Sequence, residues 1–278
     1  MGKVSNSFRI IKASWQVFKK DKEMIFFPFL SGFILFLLFA SNIAYINQVN
    51  GFDKLNKLIE NHDIGIYLYL FLIIYLTVFI GMFLNSALMA CAKIRLEGDN
   101  PNVIDGILIA STHTINIALW ALISLTIGVF LSLIEELFNE KIAKLFSNIL
   151  GITWGITSFF VLPIIIFEKK GPFEALKESS FLAKNTWGEE IVGNISIRLI
   201  FFILYLPALL LIIPILHYND KLITIILISF GLLYIAIIKA IDIVIEGIFQ
   251  TALYQFVQNN ILTEDFERTL LMSIVKKY

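Results

Sequence analysis

The chain has 278 residues, 58% of them hydrophobic and only 16% charged. Soluble domains carry roughly a quarter charged residues, so an ordinary water-facing globule is excluded and a membrane class is indicated. The formal net charge of zero and the single cysteine, Cys91, exclude a global basic field for nucleic acid and an internal disulfide.

The first element is an amphipathic segment. Val4, Phe8, Ile11, Trp15 and Phe18 recur at a 4-3-4-3 spacing, which predicts one apolar face of a helix over 3–20. Arg9, Lys12 and Lys19 fall largely on the other side. A basic amphipathic helix with a tryptophan suits an anionic headgroup layer. Arg9, Lys12, Trp15 and Lys19 are therefore candidate lipid-headgroup contacts. The structural alternative is a helix packed on the bundle's own inner surface, and the two readings are compatible.

A spanning helix needs about 20 mostly apolar residues, so long charge-free stretches mark the spans. Glu23 to Asp53 holds a first span at about 25–46, and Asp63 to Lys93 a second at about 66–90. An interfacial segment follows at 101–114. Asp105 to Glu135 gives a third span at about 115–134, and Lys144 to Glu168 a fourth at about 147–167. A second interfacial segment lies at 172–188. Arg198 to Asp220 gives a fifth span at about 199–217. The sixth, about 222–247, starts in the short gap between Lys221 and Lys239 and continues as an amphipathic stretch. A tail at 258–278 completes a single integral membrane domain. The first apolar run is longer than a signal-peptide core and precedes no convincing cleavage site, so none is expected to be removed.

Six spans place both termini on one side. Lys3, Arg9, Lys12, Lys19, Lys20, Lys22, Lys93, Arg95, Lys169, Lys170, Lys177, Lys184, Arg268, Lys276 and Lys277 make 15 basic residues on that side. Lys54, Lys57, Lys141, Lys144 and Lys221 make five on the other. The positive-inside rule then places both termini in the cytoplasm, in the inner cell membrane.

The amphipathic segment recurs. Aligning Phe8 with Phe173 also matches Ile11 with Leu176, Lys12 with Lys177, Ser14 with Ser179 and Lys19 with Lys184. Pro172 sits in a first helical turn, where proline is accepted. A weaker copy begins at Pro101. Each copy precedes two spans, which suggests three units of an interfacial helix plus a transmembrane hairpin. The expected fold class is thus all-α: a polytopic bundle of about six transmembrane helices with interfacial helices on the inner face.

Chemistry is sparse. His62, His113 and His217 pair with no other ligand at metal spacing, and no nucleophile elbow or phosphate loop occurs. No catalytic residue, metal or cofactor is expected, and an enzyme is disfavoured. Gly151 and Gly155 form a small-xxx-small pair that suggests close helix packing. Pro163, Pro207 and Pro214 are candidate kinks. Asn85, late in the second span, is expected to hydrogen-bond between helices. Lys239, Asp242 and Glu246 share one helix face. As ionisable groups near a membrane they are a candidate functional face, with mutual pairing as the structural alternative.

The sequence also resembles a family of prokaryotic six-span membrane proteins known only as a domain of unknown function. The resemblance rests on Ser7 to Trp15 with Lys20-Asp21 and Phe27-Pro28, on Phe83 to Leu88, on Ala252 to Tyr254, and on a central signature. That signature comprises Phe160 to Pro163, Gly171-Pro172, Ser179 and Thr186 to Glu189. The Pro172-to-Ser179 stretch has a weaker likeness to membrane domains of glycerophosphodiester phosphodiesterases. The resemblance implies a fold and a location and no activity. The leading expectation is a non-enzymatic membrane protein with a structural, lipid-interacting or assembly role, its partner the anionic inner leaflet. A transporter or channel using Lys239, Asp242 and Glu246 is the alternative. A membrane enzyme grouping Glu168, Asp242 and Glu246 with His113 is third.

Overall fold

The computed structural model describes residues 3–48, 51, 57, 59–61, 63–137, 140–186, 201–208, 221–259 and 266. Among them the fold is helical and has no strand. The helices are α1 (Lys3–Lys20), α2 (Phe26–Gln48), α3 (Ile64–Leu96), α4 (Val103–Thr112), α5 (Thr114–Leu137), α6 (Glu140–Thr157), α7 (Val161–Glu168), α8 (Pro172–Thr186) and α9 (Lys221–Asn259). Residues 201–208 are also helical, and a 3-10 turn at Lys22–Ile25 links α1 to α2.

Among the described residues five stretches are long and apolar enough to cross a membrane: Lys22–Gln48, Ile64–Leu96, Thr114–Ile134, Ile149–Glu168 and Leu222–Gln258. The sequence suggests a sixth at 199–217. Only 201–208 of that stretch is described, and the rest, with His217 and Pro214, lies outside the described residues. His62 and most of the tail at 258–278 lie outside them too.

The chain packs as two compact units. One comprises Met1–Ile25, Cys91–Asn102 and Phe181–Tyr278, and the other Phe26–Ala90 and Val103–Ser180. The long helices explain how one chain can be lipid-like and protein-like in turn. At about 1.5 Å per residue, the 33 residues of α3 and the 39 of α9 rise about 50 and 58 Å, well beyond a hydrocarbon layer of about 30 Å. Their two halves differ accordingly. Leu68, Leu72 and Ile74 of α3 and Ile225, Phe230 and Leu232 of α9 are exposed, as residues facing acyl chains would be. Leu84 and Ser86 to Ala92 are buried, and so are Ile248, Phe249 and Thr251 to Phe256.

In the first unit, α1 packs on the buried half of α9, and the 3-10 turn inserts Met24 beside them. The buried face of α1 is Ile10, Ala13, Ser14, Val17 and Phe18. This differs from the apolar face expected from spacing. Phe8 remains 57% exposed, and Ile11 and Trp15 are only half-buried. The helix has two apolar stripes about a third of a turn apart, and the one rich in small residues approaches the protein. Helix α3 stops where Gly98 takes φ of 100°, a left-handed conformation open to glycine. The Asp99 N–H donates to the Ile94 carbonyl at 3.1 Å, and the Gly98 N–H to the Arg95 carbonyl at 3.1 Å, which closes a Schellman cap.

In the second unit, Tyr69 donates from α3 to Asn42 of α2, and Tyr75 donates from α3 to the Ala118 carbonyl of α5 at 3.3 Å. Helices α5 and α6 pack together, with Trp120 stacked on Trp154 at 5.5 Å between centroids. The fourth apolar stretch is not one helix. It breaks at Ser158 to Phe160 and restarts as α7, with Pro163 in the new first turn. Proline there cannot supply the N–H that a continuous helix would need. Among the described residues the Gly151 and Gly155 pair makes no close packing contact, since a Cβ built at either glycine meets none of them within 4 Å.

Candidate functional site

Helix α1 arranges three surfaces around one axis. Its small-residue stripe faces α9. Phe8, Ile11 and Trp15 form the second stripe, with Trp15 tilted against Phe18 at 5.2 Å. Lys12 and Lys19 are exposed beside that stripe, and Arg9 is half-buried. Of that second stripe Phe8 is exposed, and Ile11 and Trp15 are half-buried.

Lys239 and Asp242 of α9 form an ion pair at 2.8 Å. The Lys239 side chain is 56% exposed and that of Asp242 only 13%. Tyr205 lies close enough to feel both charges, and its buried hydroxyl has no hydrogen-bond partner among the described residues. Glu246 is half-buried on the same helix and contributes to the field at Lys239. The three residues are thus brought together, chiefly as a local pair. Glu168 and His113 belong to the other unit, and Glu168 is engaged by Lys170 at 2.5 Å.

Three polar arrangements carry no sequence signal. First, Asp21, next to the end of α1, is buried and pairs with Arg95 at the end of α3 at 3.6 Å. Burial pushes the Asp21 carboxyl up, and the Arg95 guanidinium offsets only part of that rise. Arg95 also donates to Asn100, while Gln255 of α9 donates to Glu97 at 3.2 Å. Second, Lys170 bridges Glu168 and Glu178, and its hydrogen bonds to the two carboxylates hold its ammonium above the usual lysine range. The Asn116 amide donates to the Lys170 carbonyl at 3.4 Å. His113 nearby is buried, and burial, aided by the Lys169 charge, pulls its imidazolium down. Third, the break between α6 and α7 exposes the N–H of Phe160, which donates to the hydroxyl of Ser179 on α8 at 3.0 Å. Both residues are fully buried. A side-chain hydroxyl thus satisfies a backbone donor that the broken helix cannot.

Among the described residues no group of three or more His, Cys, Asp or Glu side chains is placed to hold a metal ion. The family of unknown function DUF6159 matches residues 64–262. No curated protein matches the chain, and no solved structure does. The likeness to phosphodiesterase membrane domains draws no support from these comparisons.

Proposed function

We propose, for a chain that belongs to the DUF6159 family of unknown function, a non-enzymatic role in the cytoplasmic membrane. It is a multi-pass protein with about six spans and both termini inside, and it organises or binds anionic lipid at the inner leaflet. The observation that carries this reading is the three-sided α1. A helix that only closed the bundle would bury its aromatic stripe; this one buries Ile10, Ala13, Ser14 and Val17 and leaves Phe8 outward beside Lys12 and Lys19. Neutralising Arg9, Lys12 and Lys19 together should reduce the anionic phospholipid that co-purifies with the full-length protein. Unchanged anionic-lipid content in that triple variant would argue against the role.

The same reading takes the chain as three units of interfacial helix plus hairpin. Burial supports the first and third. Ile10, Ser14 and Phe18 are buried, as are Ala175, Ser179 and Ala183, each 165 positions later. The same separation relates Ser86-Ala87-Leu88 to Thr251-Ala252-Leu253, and all six residues are buried. One register therefore runs from an interfacial helix to the inner end of its second span. For the middle unit, burial favours aligning Gly106 and Ala110 with Ala175 and Ser179.

A second reading, a transporter, draws on the Tyr205 hydroxyl beside Asp242 and Lys239, which has no hydrogen-bond partner among the described residues. It requires transport of an ion or solute that Asp242→Asn abolishes while the protein stays folded. The pairing of Lys239 with Asp242 within one helix favours the lipid role.

A further inference from the structure

We infer that α8 carries a second anionic-lipid contact, formed by Phe173, Lys177, Phe181 and Lys184. The inference deepens the lipid-binding reading of α1, and it rests on a different helix and on observations of its own.

The first observation is the exposed face. Phe173 is 74% and Phe181 63% exposed, among the most open aromatic side chains described. Lys177 and Lys184 are exposed as well. At 3.6 residues per turn, residues 173, 177, 181 and 184 lie on one side of the helix. Glu174 borders this face, and its charge is outnumbered by the two lysines. Glu178 points its carboxylate to Lys170.

The second observation is how α8 is held. Pro172, Ala175, Ser179 and Ala183 form its buried side, and Ser179 accepts the Phe160 N–H. Small residues allow close approach, so α8 is fastened by one face and its aromatic face is directed away from that attachment.

The third observation is position along the chain. The fourth apolar stretch ends at Glu168, and α8 begins at Pro172. Four residues reach at most about 14 Å, so α8 starts no farther than that from the end of the apolar stretch, beside a headgroup layer roughly 5–8 Å deep. Two open phenylalanines so close to the end of a span meet the acyl boundary, and lysines beside them meet headgroup phosphates.

The register of the repeat gives the fourth. Phe8, Lys12 and Lys19 of α1 correspond residue for residue to Phe173, Lys177 and Lys184 of α8, all at a separation of 165. The buried serine, Ser14 or Ser179, corresponds too. The identities that survive between the two copies are the exposed phenylalanine, the two lysines and the attachment serine. The anionic phospholipid surface is the occupant that matches both halves of this pattern, the positive charge and the apolar aromatic.

The test uses the full-length protein in lipid nanodiscs. Because Cys91 is buried, a Cys91→Ala background allows one spin label at Phe173→Cys. The expected result is a label accessible to oxygen and shielded from a water-soluble nickel complex, more strongly in phosphatidylglycerol discs than in phosphatidylcholine discs. Adding Lys177→Gln and Lys184→Gln should reduce the preference for anionic lipid by roughly ten-fold at low salt. A label equally open to nickel in both lipids would overturn the inference. So would label–label broadening that vanishes on dilution with unlabelled protein, since that places a second copy on the face. The Arg9, Lys12 and Lys19 variant separates the two claims. If it leaves bound anionic lipid unchanged while the α8 label is lipid-shielded, the α1 reading fails and the α8 contact stands. If it lowers bound anionic lipid while the α8 label stays open to nickel, the α8 contact fails and the α1 reading stands.

Discussion

Ser179→Ala is the sharpest perturbation of the second unit. The Ser179 hydroxyl accepts from the Phe160 N–H at 3.0 Å, and neither residue has solvent exposure. Removing the hydroxyl leaves the Phe160 N–H without that acceptor, with Pro163 blocking a continuous helix there. A buried backbone donor left without its partner costs about 1–3 kcal/mol. Loss of one oxygen from a packed site adds only a little. The expected destabilisation is therefore about 1–3 kcal/mol, most of it from the lost acceptor. Equilibrium unfolding of the purified protein in mixed detergent micelles, followed by helicity, measures it. Ser180→Ala is the control: its half-exposed hydroxyl donates to the Lys177 carbonyl of its own helix, at 2.7 Å, and its loss should cost less than about 0.5 kcal/mol. Ser179→Thr keeps an acceptor and should recover part of the loss if its methyl fits. Equal, negligible effects of Ser179→Ala and Ser180→Ala would refute the idea that α8 caps the broken span.

Other outcomes follow from the polar contacts. Asp21→Ala leaves the half-buried Arg95 guanidinium with Asn100 but without its carboxylate and should cost about 1–3 kcal/mol. A double variant with Arg95→Met should recover much of that loss in the same unfolding experiment. His113 is held neutral in the folded state, and its pKa lies below the ordinary 6.5. Between the folded and unfolded values the unfolded chain binds more protons, so this contribution is present above pH 6.5 and falls as pH drops through that window. His113→Gln should therefore flatten the stability profile between pH 7.5 and pH 5, measured by thermal unfolding. Trp154→Leu removes the stack on Trp120 and should cost about 0.5–1.5 kcal/mol beyond the lost area.

The helical class and the membrane character are legible in the sequence because a bilayer imposes long charge-free runs that few other environments permit. The face of α1 is less so. Its two apolar stripes overlap at Phe18, and periodicity favours the larger residues Phe8, Ile11 and Trp15; the stripe that is buried is marked by Ala13 and Ser14, whose value is small volume. The lengths of α3 and α9 are hidden for a similar reason. Lys93 reads as a span boundary, and the sixth span reads as an amphipathic continuation past Lys239 to about 247, whereas α3 runs to Leu96 and α9 to Asn259. Pro163 signals a disturbance in the fourth span without saying whether the helix bends or breaks. That Ser179 completes the break depends on two residues 19 positions apart, and Asp21 meets Arg95 across most of two spans. Pairings at such distances leave no local pattern. The Lys239, Asp242 and Glu246 face was legible, because helical spacing alone brings Lys239 to Asp242.

Trp15 offers the most direct measurement of the lipid role. Its fluorescence can be isolated as the difference between the wild-type protein and Trp15→Phe in discs of brominated phosphatidylglycerol. A Trp15 on the inner leaflet gives a component strongly quenched by bromine near the headgroups and protected from aqueous iodide, with less quenching once Arg9, Lys12 and Lys19 are neutralised. A Trp15 component quenched by iodide and indifferent to brominated lipid would contradict the account.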